Sequence, residues 1–437
     1  MSVPAILRRA QGALVRPGER RAVEPEARIV AARILDELRR GGEGALLRWS
    51  VELGDLPDAR AKWQFGPRDF AAAFAGLDDG ARGLLERTAA RIQRFALAQA
   101  RCLSELELPV PGGRAGHRVV PLASAGCYAP GGRFALLSSA LMTAVTARAA
   151  GVREVWLASP RPGPLMLAAA HVAGAQGLLA VGGAQALGAL AFGLGGAPAC
   201  DILCGPGNRF VTAAKALLAE EVAVDLVAGP SELLVIADAD AADARAVALD
   251  LLAQAEHDPD AWPALVVLGE EHEAVAFAAD LNIALDVQLA TLPTAALARA
   301  ALANGAWIVA DTALALVAAE SFAPEHLELI GPRAEALAPQ LARYGTLFIG
   351  PGSAEVFGDY GIGPNHVLPT GGSARHSAGL SALSFLRLRP FVQVEPGAAL
   401  DPVARDAADL ARLEGLEAHA RAAERRLRPG AAAVGDA

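Results

Sequence analysis

The stretch RPGPLMLAAAHVAGAQGLLAVGGAQALGALAFGLGGAPACD, residues 161–201, decides the fold: between Arg161 and Asp201 it holds no Asp, Glu, Lys or Arg. A run so apolar describes either a membrane hairpin or strand–helix units buried on both faces of a sheet. Pro162, Pro164 and Pro198, with His171, Gln176, Gln185 and many glycines, break any continuous apolar span. The soluble reading follows. Strand candidates are Glu154 to Leu157, Gly177 to Val181 and Asp201 to Cys204, with helical runs between them. Such alternation with short links predicts βαβ units and a parallel sheet.

A second alternating series lies downstream. It reads as the strand Leu233 to Ile236, the helix Asp240 to Ala253, the strand Ala264 to Leu268, a helix around Glu271 to Leu281, and the strands Trp307 to Ala310 and Leu347 to Ile349. The expected fold class is α/β, with two doubly wound, incomplete Rossmann-like parallel-sheet domains. Residues 23–126 with 233–378 form the first, discontinuous domain, and residues 127–232 the second. Helices are expected over 27–49 and within 69–101; Pro109 to Gly116 reads as a turn-rich link before a surface His117, which leads into the strand-like Arg118 to Leu122. Residues 1–22 read as an N-terminal arm, 379–437 as a C-terminal helical tail, and Pro429 to Ala437 as disordered. A cleft between two doubly wound domains is expected to take ligands at the carboxyl ends of strands.

Composition narrows the function. A chain of 437 residues is long for one core, so two or three domains are expected. A formal charge of −9 argues against a nucleic-acid or anionic-membrane partner. Met1 to Gly12 carries Arg8 and Arg9 without an apolar segment behind them, so no secretory signal is read. Cys102, Cys127, Cys200 and Cys204 show no CxxC spacing, which suggests a reduced, cytoplasmic chain.

Four clusters carry candidate chemistry. In Gln254-Ala255-Glu256-His257-Asp258-Pro259-Asp260, Gln254 continues the face of Val247 and Leu251, and His257 stacks one turn on. An amide and an imidazole at a helix end suit zinc, or else a polar helix C-terminus with His257 on the dipole. Pro324-Glu325-His326 puts a carboxylate beside an imidazole, and both reach one pocket only at a helix start or an irregular turn, which the proline favours. The glycine-rich segment from Glu355 to Thr370 holds Asp359 and His366, and loops of this kind position functional groups or simply turn the chain. Glu414 and His419 share a face only if the helix breaks at Gly415. Gly205-Pro206-Gly207-Asn208 follows a strand and opens a helix, so its backbone N–H groups could meet a phosphate.

Taken in order with Tyr128-Ala129-Pro130-Gly131-Gly132, Gly182-Gly183-Ala184-Gln185-Ala186, Ala228-Gly229-Pro230-Ser231-Glu232 and Asn365-His366-Val367-Leu368-Pro369-Thr370, these motifs resemble the histidinol dehydrogenase family from about Ala27 to His419. The resemblance implies a cytoplasmic, zinc-dependent homodimer of histidine biosynthesis that oxidises L-histidinol to L-histidine through the aldehyde, with two NAD in succession. It implies that Gln254, His257, Asp359 and His419 hold the zinc and that Glu325 and His326 are the acid–base pair. Tyr128, Gln185 and Asn208 would touch NAD. Ser231, His366 and Glu414 would hold the substrate together with His326, the metal and its ligands. The tail would cross to the partner subunit, so that Glu414 and His419 complete the other chain's site. The same motifs recur in relatives acting on other small alcohols, such as sulfopropanediol dehydrogenase. Two further readings compete: a thiohemiacetal on Cys127 or Cys204, and a non-catalytic, two-lobed metal-dependent binding protein.

Overall fold

The computed structural model describes residues 6–10, 14, 23–131, 135–227 and 229–428. Most of the 1–22 arm and the expected disorder of Pro429 to Ala437 therefore lie outside the described residues. In chain order the strands begin with β1 (Arg8–Arg9), β2 (Gln64–Phe65), β3 (Leu106–Val110) and β4 (Gly113–Pro121). Next come β5 (Ser124–Tyr128), β6 (Glu154–Ala158), β7 (Gly177–Leu179), β8 (Ile202–Cys204) and β9 (Ala223–Val224). They close with β10 (Glu232–Asp238), β11 (Trp262–Leu268), β12 (Ala306–Ala310), β13 (His326–Ile330), β14 (Thr346–Ile349) and β15 (Leu386–Val394).

The chain divides into two compact units: Met1–Gln99 with Leu122–Phe385, and Ala100–Pro121 with Leu386–Ala437. The first unit carries two six-stranded sheets. One is parallel throughout, in the order β1-β12-β11-β10-β13-β14. The other runs β2-β7-β6-β5-β8-β9, parallel except at β2. Both are doubly wound, as the strand–helix alternation requires. The charge-free stretch supplies the helix Pro164–Val172, β7 and the helix Gly183–Phe192. Most of its alanines and leucines are buried because helices cover both faces of that sheet. No helix among the described residues is long and apolar enough to cross a membrane.

In the parallel sheet, alternation along the strands sorts side chains to two faces. Leu233, Val235 and Ala237 pack with Val247 and Leu251 of the helix Ala244–Ala255. Leu234, Ile236, Leu327 and Leu329 pack on the opposite side with Phe322 and Leu337. Each such fully buried aliphatic side chain is worth roughly 1.5–3 kcal/mol against exposure. The basic arm is partly stitched into this sheet. Arg8–Arg9 pairs with Ala306 and Trp307, Leu7 is fully buried, and Arg9 pairs with Glu271.

The second unit corrects two expectations. The supposed link Pro109 to Gly116 is a β-hairpin, β3 to β4, turning at Gly112 with φ 84°. The tail does not begin as helix. Its LRLRPFVQV segment alternates and forms β15, antiparallel to β4, in the order β15-β4-β3. Helices Asp401–Leu413 and Glu417–Glu424 follow, broken at Gly415 with φ 78°. His117 lies in β4, its ring bonded to the Ser104 carbonyl at 3.0 Å.

Candidate active site

The clustered polar residues of the parallel sheet lie at the amino ends of its strands, against the carboxyl-end expectation. Glu232 opens β10, His326 opens β13 beside Leu233, and Gln254 and His257 end the helix that leads into β11. The Glu325-His326 pair is therefore not at a helix start. Helix Thr312–Phe322 stops at Ala323, which takes a left-handed φ of 50°, and the chain enters β13 directly. In HLELI, His326 and Glu328 share one face, with Leu327 and Leu329 on the other.

That face meets the helix Ala244–Ala255, whose crossover runs antiparallel to the strands. Asp250 and Gln254, four apart on the helix, are separated by about 6 Å of rise. His326 and Glu328, two apart on the strand, are separated by about 6.6 Å. The two spacings match, so Gln254 meets His326 while Asp250 acts on Glu328. Gln254 is fully buried, with its Oε1 2.9 Å from His326 Nδ1. The Glu232 carbonyl oxygen also lies 2.9 Å from Nδ1. Both partners accept, so Nδ1 carries the proton and donates, leaving Nε2 with a free lone pair. Nε2 is buried and has no partner.

Glu325 is held by the Glu232 N–H, which donates to its Oε2 at 3.0 Å, and by the Ser231 hydroxyl. Burial pushes its carboxyl well above the usual range, outweighing those hydrogen bonds. Burial pushes His326 well below its usual pKa, assisted by His366, so the imidazole is neutral. His366 stacks on it with ring centroids 4.7 Å apart, and burial brings its own pKa down to about 4. Both ring nitrogens of His366 are buried without hydrogen-bond partners. An acid and a base set apart by environment are what proton transfer near neutral pH requires.

Asp359 ends the short helix Val356–Asp359, with its Oδ2 3.3 Å from His257 Nε2 and its Oδ1 4.0 Å from His366 Nε2. Burial works against its charge, but His257, His366 and His326 together bring its pKa down to about 2. Burial also opposes the charge on His257, yet Asp359 holds its pKa above the ordinary value. Donor atoms of His257, Glu355 and Asp359 all lie within 4.8 Å of one another. Imidazole nitrogen and carboxylate oxygen are the donors zinc takes. The partnerless nitrogens of Gln254, His326 and His366, and both partnerless oxygens of Glu355, are the buried polar atoms such an ion and its ligand would use. The residues present therefore fit a zinc ion.

The other sheet follows the carboxyl-end rule. Tyr128 closes β5, Gly182 and Gln185 follow β7, and Gly205 to Asn208 follow β8. Tyr128 Oη accepts from the Gly183 N–H at 3.2 Å, and burial pushes the phenol up to about 12, so it stays neutral. Gln185 is buried, its Nε2 donating to Asp55 Oδ2 at 2.8 Å while its Oε1 has no partner. The phosphate-cradle reading of Gly205 to Asn208 loses several donors. The Gly205 N–H goes to Asp225, and those of Phe210 and Val211 go to the Asn208 side chain, which caps the helix. Tight glycines remain: a Cβ on Gly205 would sit 2.0 Å from the Tyr128 backbone carbonyl oxygen. Gly132 and Ala228, quoted in two of the motifs, lie outside the described residues.

The first unit thus brings together Ser231, Gln254, His257, Glu325, His326, Asp359 and His366, and separately sets Tyr128, Gln185 and Asn208 around the ends of β5, β7 and β8. Glu414 and His419 belong to the second unit, on either side of its helix break. Sequence reasoning missed Glu355, the Glu232 carbonyl that fixes His326, and Asp55, which accepts from both Gly182 and Gln185. HLELI was the available signal for the strand. No local pattern marks Glu355 or Asp55.

The sequence model of the histidinol dehydrogenase family matches residues 19–427 of the chain. The histidinol dehydrogenase of Thermus thermophilus is 42% identical over 409 residues, covering 92% of this chain and 95% of that protein. A Ruegeria pomeroyi protein named histidinol dehydrogenase homolog is 40% identical over 433 residues, covering 94% of this chain and 95% of that protein. The crystal structure of histidinol dehydrogenase from Elizabethkingia anophelis matches with a TM-score of 0.83 at 29% identity, over 97% of this chain and 94% of that one.

Proposed function

The chain belongs to the histidinol dehydrogenase family, and we propose that it oxidises L-histidinol to L-histidine through the aldehyde, reducing two NAD, with zinc in its site. The observation that carries this reading is His326. Its Nδ1–H is fixed by the Glu232 carbonyl and lies 3.8 Å from the Glu325 carboxylate, and its Nε2 is bare and buried.

In the first half-reaction Nε2 of His326 takes the hydroxyl proton as the carbon gives up hydride. In the second, ionised Glu325 takes a proton from the water that adds to the aldehyde, and the hydrate then loses its hydride. When bound, NAD would supply the hydride acceptor for both oxidations, and zinc would supply a cation to orient the substrate. His257, Asp359 and Gln254 would hold the ion, Gln254 by turning its Oε1 from His326, whose Nδ1 keeps the Glu232 carbonyl. Ser231 and His366 position the substrate, and Tyr128, Gln185 and Asn208 line the NAD side. Glu414 and His419 of one subunit complete the site of its partner in a homodimer. The buried thiols and the absence of CxxC spacing suit a reducing cytoplasm.

The experiment is a stoichiometry. With L-histidinol and excess NAD, the purified protein should form two NADH per histidinol consumed, and activity should vanish with a zinc chelator and return with zinc. One NADH per substrate, or turnover only of another small alcohol, would overturn the assignment.

A further inference from the structure

Lys215 stands outside every role assigned above, yet it puts an ammonium group in the core. Its side chain and that of Asp225 are 3% and 0% exposed, with Nζ 2.6 Å from Asp225 Oδ1. The helix Arg209–Leu218 otherwise buries Val211, Thr212, Ala213, Ala214 and Leu218, so packing alone calls for an apolar side chain in place of Lys215. Taking two charges out of water is costly, and apolar residues often replace such pairs without loss of stability. Position supplies a reason where stability does not. Nζ also donates to the Gly205 carbonyl, and Asp225 Oδ2 accepts from the Gly205 N–H at 2.8 Å. Gly205, with φ 114°, lies so close to the Tyr128 backbone carbonyl that a Cβ has no room there. Asp225 Oδ1 accepts in addition from the Leu226 N–H at 2.7 Å. From Leu226 the chain passes Gly229, held by the Thr370 hydroxyl, to Ser231 and then Glu232. The Glu232 N–H holds Glu325, and its carbonyl fixes His326.

We propose that Lys215 and Asp225 are positioning residues for the reaction. Together they clamp both polar atoms of Gly205, and so set the turn from Gly205 to Asn208 against Tyr128 on the dinucleotide side. Through Leu226 the same pair anchors the segment that carries Ser231 and Glu232. One buried ion pair thus holds the hydride acceptor's turn in register with the segment that supports the acid–base residues. The inference rests on the NAD reading above and adds to it the residues that set its turn. Lys215 acts through Gly205 and not by contact with the cofactor, because its ammonium is engaged by the Gly205 carbonyl and by Asp225.

The test uses the full-length protein and removes both charges together, since either single loss strands the other charge in the core. In the double variant Lys215→Met, Asp225→Asn, the asparagine oxygen can still accept from the Gly205 N–H while the Gly205 carbonyl is released. NADH, titrated by its fluorescence, should bind about tenfold more weakly or worse, and turnover at saturating NAD should fall by on the order of 100-fold, the loss a misplacement of about 1 Å brings. The melting temperature should stay at the parent's value, which a purely structural pair would not allow. Asp225→Glu keeps the ion pair but lengthens its arm, so it moves the turn without stranding a charge. It should weaken NADH several-fold, and it carries the test if the double variant does not fold. Parent-like NADH affinity and turnover in folded Asp225→Glu, or a double variant that loses melting temperature alone, would assign the pair to the fold and overturn the proposal. If the parent itself binds no NADH, the NAD reading falls and takes this inference with it.

Discussion

Replacing Glu325 by Gln separates the two half-reactions. The amide oxygen can still accept from the Glu232 N–H, now 3.0 Å from Oε2, so the local scaffold survives. What disappears is the proton acceptor for water. General-base assistance is worth about 10²- to 10⁴-fold, roughly 3–5 kcal/mol of barrier, and oxidation of added histidinal should fall by that factor. Oxidation of histidinol to the aldehyde should fall less than about tenfold, because that proton goes to His326, whose Nδ1 is fixed by the Glu232 carbonyl at 2.9 Å while Glu325 lies 3.8 Å away. His326→Asn should show the reverse bias. The pH dependence gives a second reading. Burial raises the Glu325 carboxyl well above its usual range, and the base works only when ionised. The aldehyde step should therefore quicken with rising pH as Glu325 ionises, and Glu325→Gln should flatten this limb. Single-turnover NADH formation from each substrate is the assay. Equal losses in both half-reactions for both variants would refute the division of labour.

Three further outcomes are expected. Cys127 and Cys204 are buried partners on adjacent strands with Sγ atoms 3.7 Å apart, and Cys127 together with burial raises the Cys204 pKa well above normal, so Cys204 is not a ready thiolate. Cys127→Ser and Cys204→Ser should keep turnover within a few-fold, whereas a folded but dead variant, with a thioester trapped on that cysteine in the parent, would revive the covalent reading. Burial and then Asp250 raise Glu328 from 4.5 to about 8, so the neutral form is the one the fold favours; its contribution is complete below pH 4.5 and lost as pH rises through 8, at most about 5 kcal/mol. Urea unfolding of metal-stripped protein at pH 5 and 8.5 should show the parent losing stability relative to Glu328→Gln, and parallel pH curves would count against it. Mixing inactive His419→Ala and His257→Ala subunits should restore part of the activity, since a tail-exchanged dimer has one intact site; proven subunit exchange with no recovery would mean each chain uses its own His419.

The two parallel sheets were legible because strands buried on both faces leave long apolar runs, and nothing but a covered sheet tolerates the proline- and glycine-broken stretch between Arg161 and Asp201. The helix before Gln254 was legible from Val247 and Leu251, though it starts at Ala244 because Asp243 caps it by accepting from the Arg245 N–H. What misled was polarity inside regular structure. Pro324 beside Glu325 and His326 looked like a helix start or an irregular turn, although HLELI alternates as a strand does. β15 carries Pro390 and two arginines, and β3 with the start of β4 carries prolines and glycines, so these read as non-strand while remaining able to pair at a solvated sheet; only the Arg118 to Pro121 end of β4 was legible as strand. Glu355 was illegible for another reason. Its meaning comes from Glu328, Asp359 and His257, which only the fold brings to it.

The placement of the two clusters at opposite strand ends has an electrostatic logic. Helices after strands present their N-termini at the carboxyl edge, where partial positive charge collects, and there Asp55 and Asp225 accept from the N–H groups of Gly182 and Gly205. Helices returning to the amino edge present their C-termini, with partial negative charge, and the helix Ala244–Ala255 ends there beside His257. Around that end stand Glu325, Glu328, Glu355, Asp359 and Asp250, and the charged groups that act most on Glu355 are the acids Asp359, Glu328, Glu325 and Asp250. Such a concentration of like charge has two resolutions in a buried site: protons or a cation. The raised carboxyls of Glu325, Glu328 and Glu355 are the first resolution. A divalent ion at His257 and Asp359 is the second, and it would release Glu325 to ionise. On the proposed reading the metal therefore does more than orient substrate: by lowering the cost of negative charge at this edge, it makes Glu325 available as the base the aldehyde step needs.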